Sequence, residues 1–134
     1  MFGERRVWNA KRVKTVELSV DDVTGLATMR HALAVWLESA GVGAEPRADV
    51  VLAIHEAVAN ALEHAHGPPP VLVRAMRVDD GVVVDVLDSG CWKPPQVPVP
   101  EDRGRGLGLI RDLVNSAEII TGEDGTTVRL CRAA

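Results

Sequence analysis

Glu56, Asn60 and His64 recur at four-residue intervals, and two short segments follow them: Asp88-Ser89-Gly90 and Gly104-Arg105-Gly106-Leu107-Gly108-Leu109. At about 100° per residue the first three fall on one helical stripe, at the border of that helix's apolar face. Side chains on such a border are held by the core yet reach a cleft. A carboxylate and a carboxamide one turn apart suit oxygen ligation of magnesium and removal of a proton from a hydroxyl group. The plainer reading is a polar surface stripe, with His64 satisfied near a helix end.

The second segment closes a run in which Val82, Val84, Val86 and Asp88 share one face of a strand, because side chains alternate across it. An aspartate in line with three valines points toward the apolar layer, where a carboxylate is costly unless hydrogen-bond donors meet it. An adenine amino group is one such donor, and Gly90 leaves space for the ring. Asp-Ser-Gly is also a good strand-ending turn, so both readings stand. Thr126 has the same inward parity as Val128 and Leu130 in the last strand. Its hydroxyl either finds a buried partner or the residue is there for β-branched fit alone.

Gly104, Gly106 and Gly108 precede an apolar helix carrying Leu109, Ile110, Leu113 and Val114. Open amides at a helix start can hold a phosphate, and Arg103 and Arg105 add positive charge. The dinucleotide fingerprint Gly-x-Gly-x-x-Gly fails here, because the third glycine is misplaced and no strand runs directly into the loop. No Gly-Lys-Ser/Thr occurs either. A hinge with helix-capping glycines remains the plain alternative.

The elements that must position these residues are legible from periodicity. Val13 to Val20 alternates as a strand. Asp21 and Asp22 then open a helix whose apolar line is Val23, Leu26, Ala27, Leu33, Ala34 and Leu37, with Arg30 its one polar member. Gly41 to Pro46 ends that helix, and a second runs from about Arg47 to Ala65. Its buried stripe is Val50, Val51, Ile54, Ala57, Val58, Ala61, Leu62 and Ala65. Gly67 and three prolines stop it. Val71 to Val78 and Val82 to Leu87 are strands joined through Asp79-Asp80-Gly81. Ser89 to Arg105 is the one long irregular stretch, with four prolines, and loops of that length are commonly functional or disordered. A third helix from about Gly108 to Val114 precedes strands at Glu118 to Thr121 and Thr126 to Cys131. About three helices and five strands suggest an α/β two-layer sandwich, with a mixed, mostly antiparallel sheet covered on one face.

With 134 residues there is room for a single domain. The net charge of -4 argues against direct nucleic-acid binding, which needs a basic surface. Basic residues cluster early, at Arg5, Arg6, Lys11, Arg12 and Lys14, and residues 1–12 read best as a solvated tail or edge strand. No apolar run is long enough for a bilayer and no signal peptide is visible. Cys91 and Cys131 lack metal-ligand spacing and read as two free thiols, so the expected location is cytoplasmic, away from membranes.

On these motifs the chain resembles the histidine-kinase-like ATPases, the GHKL or Bergerat-fold superfamily. Within it, Glu56-Ala-Val-Ala-Asn60-Ala-Leu-Glu-His64 is similar to the asparagine box of the bacterial anti-sigma factor serine/threonine kinases. The resemblance runs from about Thr15 to Leu130. It implies that ATP and magnesium are the cofactors, with Asn60 ligating the metal that bridges the phosphates. Glu56 would be the general base toward a substrate serine, and His64 would stand with the nucleotide-binding set. Asp88 would read adenine, Gly90 would admit it, and Thr126 would help hold the base and its water. Gly104, Gly106, Leu107, Gly108 and Leu109 would wrap the phosphates, with Arg105 and Arg103 facing the terminal one. Residues 91–105 would form an ATP lid. The implied partners are a sigma factor of RNA polymerase, a STAS-type antagonist that the kinase phosphorylates, and a second copy in a homodimer.

One position departs from the family pattern. Trp92 stands where the second glycine of Asp-x-Gly-x-Gly belongs, and tryptophan adopts glycine-only backbone conformations at a cost. That bears on the lid and turnover more than on binding. It leaves two alternatives beside the kinase: a nucleotide-binding module that acts by sequestration alone, and an interaction domain that binds no nucleotide.

Overall fold

The alternating valines in the middle of the chain become the buried face of a sheet. Val82, Val84 and Val86 are each 1% exposed, and Val71, Val73 and Ala75 on the neighbouring strand lie on the same side. The computed structural model describes residues 14–64, 68–90, 108–123 and 125–134. Its strands are β1 (Thr15–Val20), β2 (Val71–Val78), β3 (Gly81–Asp88), β4 (Ser116–Gly122) and β5 (Gly125–Ala133). They form one sheet in the order β1-β2-β3-β5-β4, and all four described pairings are antiparallel. Asp79 and Asp80 make the two-residue hairpin between β2 and β3, where Val78 pairs with Gly81.

The helices are α1 (Leu26–Ser39), α2 (Ala44–His64) and α3 (108–113). Leu33, Leu37, Ile54, Val58 and Ile110 from these helices join the strand valines in one core. Buried strand residues share a single parity, so the helices cover one face of the sheet and the other face stays open. This is the expected two-layer α/β sandwich. Among the described residues no helix is long and apolar enough to cross a membrane.

Three details differ from the expectations. Residues Val23–Gly25 form a 3₁₀ turn capped by Asp22, whose Oδ1 accepts from the Thr24 amide at 2.9 Å. That tighter turn shifts the helical phase, so Val23 is 65% exposed and Met29 takes a core place beside Leu33 and Leu37. Arg30 stays half-buried, 3.0 Å from His55 Nδ1. Second, α2 begins at Ala44, and Pro46 lies inside its first turn, where a missing amide hydrogen costs nothing. The helix break falls instead on Gly41, at φ +82°. There the Val42 amide donates to Leu37 O and the Gly41 amide to Glu38 O, both at 3.0 Å, a Schellman ending. Third, both final strands run longer than expected, and β5 continues to Ala133, whose amide donates to Asn115 Oδ1 at 2.7 Å.

Candidate functional site

α2 is fixed before any of its polar residues is considered. Val50, Ala53, Ile54, Ala57 and Val58 are buried against the sheet. Arg132 of β5 donates to Asp49 Oδ2 at 2.9 Å, pinning the start of the helix, and the Arg30–His55 contact ties it to α1. Held this way, Glu56 and Asn60 sit half-buried, one turn apart, on the border of the packed face. Neither has a hydrogen-bond or ion-pair partner among the described residues. His64 is the last described residue of α2, and its side chain lies outside the described set.

The second group is built at the end of β3. Asp88 stands opposite Thr126 in the β3–β5 register. Its Oδ1 accepts the Gly90 amide at 2.8 Å, and Thr126, 6% exposed, donates from Oγ1 to the Gly90 carbonyl at 3.2 Å. Ser89 Oγ donates to Pro68 O at 2.8 Å, which anchors the outside of the turn. The turn reading of Asp-Ser-Gly is therefore correct as local structure, and it presents a carboxylate rather than hiding one. Burial raises the Asp88 carboxyl pKa, against the lowering effect of the Gly90 amide. A half-buried carboxylate with an oxygen to spare is an acceptor for an amino group.

Gly125 makes this corner possible. Its φ is +149°. A Cβ there would meet Asp88 O at 2.1 Å and Ser89 Cα at 3.0 Å, so only glycine lets β5 begin this close to the Asp88 turn. The one available signal was the Gly-Thr pair that starts the final strand.

Gly108 opens the described part of α3, is exposed, and has open space where a Cβ would be. Leu109 is 36% exposed and the next residue, Ile110, is 1% exposed, so Ile110 is what moors this helix start. Arg103, Gly104, Arg105, Gly106 and Leu107 lie outside the described residues, as does the 91–105 segment expected to form the lid. The structure thus brings Asp88, Gly90 and Thr126 together and sets Glu56 and Asn60 on one half-buried helix border.

The donor set suits magnesium carried by phosphate. Among the described residues no three His, Cys, Asp or Glu side chains stand together as a cage. Asn60 and Glu56 offer hard oxygen atoms, the type magnesium takes one or two at a time alongside phosphate oxygens.

These features agree with known proteins. The family model for the histidine kinase-like ATPase domain matches residues 5–132. The structure of the RsbU and RsbW domains of Rv1364c from Mycobacterium tuberculosis superposes with a TM-score of 0.68 at 30% identity, covering 90% of this chain. This chain spans 32% of that protein's length. The histidine kinase domain of the blue-light activated kinase EL346 from Erythrobacter litoralis shares the fold, with a TM-score of 0.55 at 22% identity. It covers 80% of this chain and 62% of its own. Asn60 on its helix, the Asp88–Gly90 turn and the family match over nearly the whole length agree: this chain belongs to the histidine kinase-like ATPase family.

Proposed function

We propose that this chain is an ATP-dependent protein serine/threonine kinase that also acts as an anti-sigma factor. The observation that carries the nucleotide part is the Asp88–Gly90–Thr126 corner, a half-buried carboxylate presented beside a glycine backbone. Asp88 accepts the adenine amino hydrogen, Gly90 lets the ring approach, and Thr126 holds the turn that aims the carboxylate. Asn60 supplies an oxygen to magnesium. Magnesium-ATP supplies the phosphoryl group and charge neutralisation. Glu56 accepts the proton of a substrate serine or threonine hydroxyl as that oxygen bonds to the terminal phosphorus, and ADP leaves with the electrons of the broken bond.

The partner side rests on the motif resemblance and on similarity to an RsbW domain. A sigma factor and a STAS-type antagonist compete for the chain, and a phosphate added to the antagonist's interface weakens its grip through charge and desolvation. Trp92 in the glycine box favours a second reading, sequestration without transfer.

One assay separates the two. The chain is incubated with labelled ATP, magnesium and the candidate STAS protein, beside Glu56→Ala. Label on the STAS protein, lost in Glu56→Ala, is the expected result. ATP binding with no transfer to any authentic partner would sink the kinase and leave the sequestration module.

A further inference from the structure

β4 forms one edge of the sheet, and it is the barest of the described strands. Among the described residues only β5 pairs with it, and of its seven residues all but Ala117 are exposed. Edge strands are normally guarded by lysine, proline or a bulge. The run from Ser116 to Gly122 has neither lysine nor proline, and its register with β5 is unbroken from Ser116–Cys131 to Gly122–Gly125. Ile119 and Ile120 point to opposite faces, yet they are 39% and 42% exposed. On the helix side Ile119 lines a shallow groove with Ile110, Arg111, Ala117 and Val128. On the open face Glu17, Arg74, Asp85, Arg129 and Glu118 stand in one cross-strand row, alternating in sign. Arg74 bonds Glu17, and Arg129 gives Nε and Nη2 to Asp85 at 2.8 Å and 3.0 Å. Glu118 ends the row with only a longer-range attraction to Arg129.

We infer that β4 is a docking edge for an extended segment of a partner protein, added antiparallel as a further strand, with a basic residue opposite Glu118 and apolar residues opposite Ile119 and Ile120. The open main chain of the edge supplies hydrogen bonds, and the side chains set the register. A basic residue opposite Glu118 continues the alternation of the row and gives that carboxylate the cation that Arg129 spends on Asp85. The residue before it in the incoming segment falls on the helix side, over Ile119 and the groove. The residue before that returns to the open face beside Ile120. Read along the segment, the pattern is apolar, apolar, basic. A second copy of this chain does not fit edge to edge, because β4 has no cation to offer Glu118. The opposite edge is already complete: Glu17 of β1 is bonded to Arg74, and Val16 and Leu18 pack on the core.

The inference rests on the edge alone and is tested without nucleotide. A fluorescent peptide with Ile-Val-Arg at its centre, flanked by threonines, is titrated into the whole chain and followed by polarisation. Saturable binding is expected, weakened about fivefold or more when glutamate replaces the peptide's arginine. Glu118→Arg should reverse that preference. A thermal melt confirms that the variant folds, and the comparison of the two peptides on the wild-type chain stands without it. Amide hydrogen exchange should show new protection along Ser116–Gly122 and none along Thr15–Val20. No saturable binding, equal binding of the two peptides, an unchanged preference in Glu118→Arg, or protection on β1 instead of β4 overturns the inference. A chain that sediments as a dimer without peptide, and loses that dimer in Ile119→Asp, would assign the edge to a second copy and overturn it too.

Discussion

Asp88 is held between two opposing demands. Burial disfavours its charge, while the Gly90 amide favours it, and the net effect raises its pKa. The folded chain therefore takes up this proton more readily than the unfolded one. The stability tied to the group grows as pH falls from neutral toward the carboxylate range, and is lost as pH rises through the folded pKa. Asp88→Asn keeps an acceptor for Gly90 and removes the charge. It should raise the urea midpoint at pH 7, flatten the pH dependence in melts between pH 7 and 5, and lose magnesium-ATP binding. Gly125→Ala should behave differently, since a Cβ collides with the Asp88 backbone. The expected loss in urea melts is more than about 2 kcal/mol. The inward parity of Asp88 and Thr126 was legible in the sequence, because alternation is a local property of a strand. The role of Gly125 was not, because it arises where the start of β5 meets the end of β3, and that meeting exists only in the folded chain.

Among the elements, α2 was readable almost whole: eight apolar positions at helical spacing predicted its buried stripe, and Val50, Ile54, Ala57 and Val58 are indeed buried. Its start was misplaced because Pro46 looks like a terminator, whereas in a first turn proline is harmless. The stripe of α1 was displaced for another physical reason, the 3₁₀ turn at Val23–Gly25, which periodicity counted at 3.6 residues per turn does not register. Two elements carry testable consequences. Ile110 is the one fully buried side chain in the described part of α3, so Ile110→Ala should cost about 2–4 kcal/mol in a denaturation curve. Because α3 follows the glycine segment, ATP affinity should fall with it. Asp49→Ala leaves Arg132 half-buried without its partner and should cost about 1 kcal/mol, measured the same way.

For the molecule as a whole, the class was plain from three helical periods and five alternating runs, and the antiparallel sheet with helices on one face follows from them. The strand order was not, since register between distant strands depends on tertiary pairing rather than local pattern. That order places β5 between β3 and β4 and sets Thr126 beside Asp88. The central claim is that the Asp88 corner and the Asn60 border of α2 serve one magnesium-ATP. Calorimetric titration of ATP with magnesium into the wild-type chain, Asp88→Asn and Asn60→Ala tests it most directly. The account predicts one ATP per wild-type chain and at least a tenfold loss of affinity in each variant. A wild-type chain that takes up no ATP, or variants that bind as the wild type does, would contradict it.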